Sequence, residues 1–125
     1  MNNNTKISIQ ERTKKFAIRV INAYTQIIKA KHFNDAAVVL SKQFLRSGTS
    51  IGANCAEAKS AQSRKDFISK YEIALKEARE TEYWIEIMIE TNIVPKEKFS
   101  LLLSEIDGII RTLVTIIKSL KKSDS

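Results

Sequence analysis

Hydrophobic positions recur in steps of three and four along nearly the whole chain, which is the period of helices that each present one apolar face. Phe16, Val20, Ala23, Ile27 and Ala30 keep that rhythm and predict a first helix over about residues 8–31. Asn34-Asp35 then offers a short acceptor side chain followed by a carboxylate, a helix-start signal. The second helix it opens runs over about residues 35–60, with Ala37, Leu40, Phe44, Ser47, Ile51 and Cys55 on its stripe. Ser63-Arg64-Lys65-Asp66 resembles a capping box and starts a third helix. Its stripe is Phe67, Tyr71, Ala74, Ala78, Thr81, Ile85 and Met88. Asn92 is a stop signal, and Pro95 fits the first turn of a fourth helix, where a missing N–H does no harm. There Phe99, Leu102, Ile106, Ile109, Leu113, Ile116 and Leu120 form a heptad seam.

Connections this short make successive helices antiparallel neighbours. The expected architecture is all-α: an antiparallel up-down-up-down four-helix bundle, one domain over residues 1–125 with disordered ends at about 1–6 and 122–125. Two helices carry apolar residues beyond one face: Ile18, Ile21 and Ile28 on the first, Leu103, Ile110, Val114 and Ile117 on the fourth. A second apolar face calls for a partner, and self-association is the reading it favours over a merely wide core stripe.

The stretch from Arg46 to Asn54 (Arg-Ser-Gly-Thr-Ser-Ile-Gly-Ala-Asn) has the propensity of a loop, since each helical glycine costs about 1 kcal/mol relative to alanine. Yet the apolar spacing continues through it. Gly48 and Gly52 are four apart and share a face with Ala56, so a helix here would be smooth on one side and admit a neighbouring backbone. A phosphate-cradling loop fails on pattern, because neither G-x-x-x-x-G-K-[ST] nor G-x-G-x-x-G occurs and no strand precedes it.

Residues Phe44 to Asn54, followed by Ala56-Glu57-Ala58, resemble the signature of a bacterial four-helix-bundle family whose founding members are encoded within intervening sequences of 23S rRNA genes. Asp66-Phe67-Ile68, Ala74-Leu75-Lys76-Glu77-Ala78 and Glu80-Thr81-Glu82-Tyr83-Trp84 resemble its second block, in the right order. Cys55 stands where that family more usually has a branched aliphatic residue. The resemblance implies the four-helix fold. It also implies kinship with the accessory variability determinant of diversity-generating retroelements, a basic five-subunit ring that contacts nucleic acid and a reverse transcriptase.

Composition narrows the class further. Hydrophobic residues make up 43% and charged residues 28%, and only three glycines and one proline interrupt the chain, too few for an all-β fold. No apolar run is long enough for a membrane span. The start lacks the apolar core of a secretory signal, and Cys55, the only cysteine, cannot form an intrachain disulfide, so a cytoplasmic location is expected. His32, the only histidine, leaves metal and His-dependent nucleophilic sites without partners. Glu82, Glu86 and Glu90 read as a solvated face, since no Glu-x-x-His pair accompanies them. No catalytic residue, metal or cofactor is expected. Arg46, Glu57, Lys70, Glu77 and Glu80 read as a charged ladder fixing the register of the second and third helices, with Gly48 and Gly52 on the same structural seam.

The net charge of +7 is uneven, the first half strongly basic and the second slightly acidic. In an up-down-up-down bundle one pole gathers Lys6, Arg12, Lys14, Lys15, Lys59, Arg64, Lys65, Lys118, Lys121 and Lys122, against only Glu11, Glu57, Asp66 and Asp124. Such a field attracts phosphate backbones without reading bases. Lys14, Lys15, Lys59, Arg64, Lys65, Lys118, Lys121 and Lys122 are therefore the candidate nucleic-acid-binding residues. No RNA-binding motif is present and aromatic side chains do not interleave with the basic ones. The expectation is a non-enzymatic homo-oligomer, a pentamer if the resemblance carries over, that binds RNA or another nucleic acid. A protein–protein scaffold without nucleic-acid binding is the alternative, and solubility alone is a third reading of the lysines.

Overall fold

A computed structural model describes residues 7–30 and 34–123. Those residues form α1 (Ile9–Ile28), α2 (Asp35–Ala58), α3 (Arg64–Glu90) and α4 (Lys96–Ser123), with no strand among them. Three starts are capped by a side chain. Ser8 Oγ accepts from the Glu11 N–H at 3.1 Å, Asn34 Oδ1 from Ala37 at 2.9 Å and Ser63 Oγ from Asp66 at 3.0 Å. The return bond of the expected capping box is displaced by one residue, Asp66 Oδ2 accepting from the Gln62 N–H at 3.2 Å. Pro95 stands just before α4 rather than inside its first turn, and its carbonyl accepts from Phe99.

The ends differ more from the sequence expectations than the starts do. The α2 helix stops at Ala58, and Ser60 and Ala61 turn back onto the carbonyls three residues earlier, which tightens the chain and satisfies the last acceptors. The α1 helix stops at Ile28, short of the expected Lys31, and His32 lies outside the described residues. Asn92 ends α3 in the left-handed conformation (φ 60°). Its N–H bonds to Ile89 O and that of Ile93 to Met88 O, the paired closure that a left-handed residue permits. The expected disordered ends fall mostly outside the described residues, while α4 itself runs through Ser123.

Cross-helix contacts fix the antiparallel order. Val20 and Thr13 of α1 lie opposite Gly48 and Gly52 of α2, Arg46 and Glu57 of α2 meet Glu77 and Lys70 of α3, and Arg12 and Arg19 of α1 meet Thr112 and Glu105 of α4. The core between them contains Phe16, Phe44, Ile51, Ile85, Met88, Phe99, Ile106, Ile109 and Leu113, all buried. On α3, Ile68 is buried where Phe67 was expected, and Phe67 packs edge-on to Tyr71 at 5.2 Å. At the end of α4, Ile117 replaces Ile116 as the buried residue. A straight helix has 3.6 residues per turn, so a strict seven-residue seam drifts by about 20° per heptad and a neighbouring position takes over.

The segment around Gly48 and Gly52 is helical, as its apolar spacing predicts. Its hydroxyls bond to their own helix, Thr49 Oγ1 to Leu45 O at 2.8 Å and Ser50 Oγ to Arg46 O at 2.6 Å. A Cβ on Gly48 would sit 2.9 Å from both methyl groups of Val20, and one on Gly52 would sit 3.1 Å from the Thr13 carbonyl oxygen. The missing side chains are thus what lets α1 lie against α2. The two second apolar faces part company. On α4, Ile110 and Ile117 are buried and Leu103 and Val114 pack against the core, so that stripe is simply wide. On α1, Ile18, Ile21 and Ile28 remain 50%, 46% and 42% exposed.

Candidate functional site

At the end of the bundle where α1 and α3 begin and α2 and α4 finish, the cations are distributed around several seams rather than gathered in one patch. Lys14 and Lys59 flank the shallow groove over the glycine face of α1 and α2. Arg64, Lys65 and Lys121 border a depression between α3 and α4, and Lys118 and Lys122 face a neighbouring one with Arg79. Lys15 lies apart from these, in the groove between α1 and α4. Some of the charge is locally engaged. Lys121 Nζ pairs with Glu72 at 2.6 Å, Lys15 comes only within 4.0 Å of Glu11, and Arg64 donates to Leu120 O and to Ser123 Oγ. Among the described residues, Lys14, Lys59, Lys65, Lys118 and Lys122 have no carboxylate partner. Lys6 and Asp124 lie outside the described residues.

The α2–α3 seam carries the charged ladder. Arg46 bonds to Glu77 at 3.1 Å and to Glu80, while its Nε donates to Gln43. Glu80 also accepts from the Trp84 indole N–H at 3.1 Å, and Lys70 pairs with Glu57 at 3.2 Å. Beneath the ladder, the buried hydroxyls of Ser47 and Thr81 hydrogen-bond at 2.9 Å across the two helices. Every carboxylate in this set has a cation or indole partner, so the residues expected to form a ladder between α2 and α3 do meet. On the outer side of α3, Glu86 and Glu90 are exposed, while Glu82 is half-buried and its carboxyl is raised by burial and then by the neighbouring Glu86 and Asp107.

Two arrangements were not visible in the sequence. Gln10 reaches from α1 to the Tyr71 hydroxyl at 2.7 Å and to Cys55 O at 3.3 Å, tying three helices together over a buried thiol. Burial pushes that thiol up to about 11, against an opposing pull from its hydrogen bond with Thr13. The second is the seam between α1 and α4, which approach each other less closely than the other neighbours do. Arg19 Nε donates to Glu105 Oε1 at 2.9 Å, and its Nη2 engages Oε2. That hydrogen bond raises the Arg19 guanidinium further above its ordinary value. Arg12 Nη1 donates to Thr112 Oγ1 at 3.0 Å. The Arg19–Glu105 bridge separates a groove of about 700 Å³, walled by Arg12, Lys15, Arg111, Ile7 and Ile116, from one of about 430 Å³ bordered by Leu101.

The family model of the 23S rRNA-intervening sequence protein matches residues 5–115. The chain belongs to that family. The 23S rRNA-intervening sequence protein match takes in the glycine face, the ladder and both α1–α4 bridges, whereas Lys118, Lys121 and Lys122 lie beyond it. A crystal structure of a protein of unknown function from the S23 ribosomal protein family of Bacteroides thetaiotaomicron VPI-5482 is 44% identical in sequence. It covers 89% of this chain and 99% of its own, with a TM-score of 0.80. No curated protein matches. Membership in the 23S rRNA-intervening sequence protein family accords with the four-helix bundle, and the role of its basic end is a separate question. No helix among the described residues is long and apolar enough to cross a membrane.

Proposed function

We propose that this protein is a non-enzymatic, cytoplasmic helical bundle that self-associates and binds RNA through its basic end. The observation that carries the reading is the set of lysines without carboxylate partners, Lys14, Lys59, Lys65, Lys118 and Lys122, arrayed around one pole. Their charge is left to act on solvent and on polyanions, in contrast to Arg19 and Arg46, which are spent on internal bridges. Because they border several separate seams, the contact expected is with a phosphate backbone wrapped over the pole, without base readout. Affinity for single-stranded RNA should fall steeply with salt, with a slope of about −0.7 per phosphate contact. It should be lost when Lys14, Lys59, Lys65, Lys118 and Lys122 are neutralised, with assembly retained.

Of the two second apolar faces, that of α1 is the one left exposed for assembly, since Leu103, Ile110, Val114 and Ile117 of α4 pack into the bundle. Exposed Ile18, Ile21 and Ile28 also favour a second reading, a scaffold that docks a protein partner on that face. Recovery from the native host of a specific protein, with no nucleic acid at low salt, decides for the scaffold. A concentration-independent monomer in light scattering removes self-association.

A further inference from the structure

The α4 helix holds a glycine in its interior that no turn requires, and the space its missing side chain leaves is filled by one group. A Cβ on Gly108 would collide with Arg12 Nη2, and no atom outside Arg12 lies near it. The other end of the same guanidinium is held by Thr112, whose hydroxyl is in turn bonded to Gly108 O at 3.0 Å. An interior glycine weakens a helix, and an arginine partly withdrawn from water is stabilised by a paired anion. Here the glycine makes room for an arginine that has no carboxylate partner among the described residues. Glu105 is occupied by Arg19, and Asp107 pairs with Arg111 at 3.0 Å on the outer surface.

We propose that the α1–α4 groove is a phosphate-monoester pocket centred on Arg12. The planar guanidinium, oriented by Thr112 and Gly108, offers its remaining N–H donors to two oxygens of a terminal phosphate. Lys15 and Arg111 border the same groove in weak, exposed pairs, and each can turn toward a dianion. Ile7 and Ile116 give an apolar wall for the body of the ligand, and about 700 Å³ suits a nucleotide-sized molecule. The site goes beyond the basic-end reading, because Arg12, Gly108 and Thr112 are not among the residues on which that reading depends.

The phosphate can come from a free nucleotide or from the end of a nucleic acid, and the probes separate the two. Inorganic phosphate and adenosine monophosphate are titrated calorimetrically at constant ionic strength, with adenosine as the control. Oligonucleotides bearing a 5′-phosphate or a 5′-hydroxyl form the second arm. Gly108→Ala is the informative variant, because only the end of a flexible side chain has to move and the helix itself gains an alanine. It should fold at least as stably as the wild type and yet bind adenosine monophosphate about tenfold more weakly, as should Arg12→Lys. Loss of monophosphate binding in Gly108→Ala with general RNA affinity unchanged supports a separate pocket. No monophosphate binding to the wild-type protein, or equal binding by all three proteins, overturns it. A carboxylate from a second copy in place of phosphate also overturns it, and would show as assembly lost in Arg12→Lys with no response to the nucleotide.

Discussion

The α1 helix has two lateral neighbours and meets them by opposite means. Against α2 it is closed by subtraction: Gly48 and Gly52 carry no side chain, so Val20 and the Thr13 backbone come to rest on bare helix. Against α4 it is propped by addition: Arg12 and Arg19 reach across to Thr112 and Glu105, and a groove remains beside them. Close backbone approach gains dispersion and excludes water from the contact itself, leaving only the shallow groove on its outer face between Lys14 and Lys59. Long bridging side chains give up that packing and keep a solvated, charged crevice. One helix thus has a seam closed by packing and a seam held open by charged side chains.

The sharpest way to break this contrast is to enlarge the closed seam. Gly52→Leu must push a branched side chain against the Thr13 carbonyl, which is backbone and cannot swing aside. The expected loss is about 3 kcal/mol in chemical denaturation. Unchanged stability would mean that α1 does not depend on the smooth face of α2.

The closed seam also has a pH signature. Cys55 lies beneath it, its thiol moved from an ordinary value of 9.0 to about 11 by burial. The unfolded chain therefore releases this proton before the folded one does. Stability is fully present below pH 9 and is lost as pH rises through about 11. The buried phenol of Tyr71, also raised, adds a fall in the same direction. Equilibrium unfolding between those pH values should show the decline, and Cys55→Ala should flatten its earlier part. An identical slope in the variant would place the thiol in contact with water.

The contrast between the seams also explains what the sequence reveals. Periodicity places all four helices, and Gly48 with Gly52 announces the closed seam, because small residues four apart on an apolar stripe have few other uses. The α2–α3 ladder follows as well, since a short turn between consecutive helices fixes which residues face each other. The open seam joins the first helix to the last. No turn sets that register, so nothing in the spacing of Arg19 and Glu105, or of Arg12 and Gly108, links them. The basic pole is legible as a set of lysines, but their division among separate seams depends on the rotation of each helix. A one-residue drift, like that from Ile116 to Ile117, is enough to redirect a side chain.

A glycine substitution in the open seam should have the opposite sign to Gly52→Leu. Gly108→Ala displaces only the end of Arg12 into a solvated groove, while the helix interior gains up to about 1 kcal/mol of propensity. Thermal and chemical denaturation should show a stability equal to or above that of the wild type. A clear loss would mean that Arg12 is a structural strut, as tightly held as the Val20 contact on the other side.

The smallest effect is expected from the bridge that spans the open seam. Arg19 and Glu105 meet with the fork of the guanidinium on both carboxylate oxygens, a geometry that stiffens the pair. Yet the Arg19 side chain is 53% exposed, so water and salt compete for it. A double-mutant cycle with Arg19→Ala and Glu105→Ala should give a coupling of about 0.5 kcal/mol at low ionic strength, shrinking as salt rises. The cost of Gly52→Leu is steric and should not respond to salt in this way. A coupling above about 2 kcal/mol that persists in high salt would show the bridge to be as desolvated as the closed seam. The two sides of α1 would then differ in chemistry but not in their burial from water.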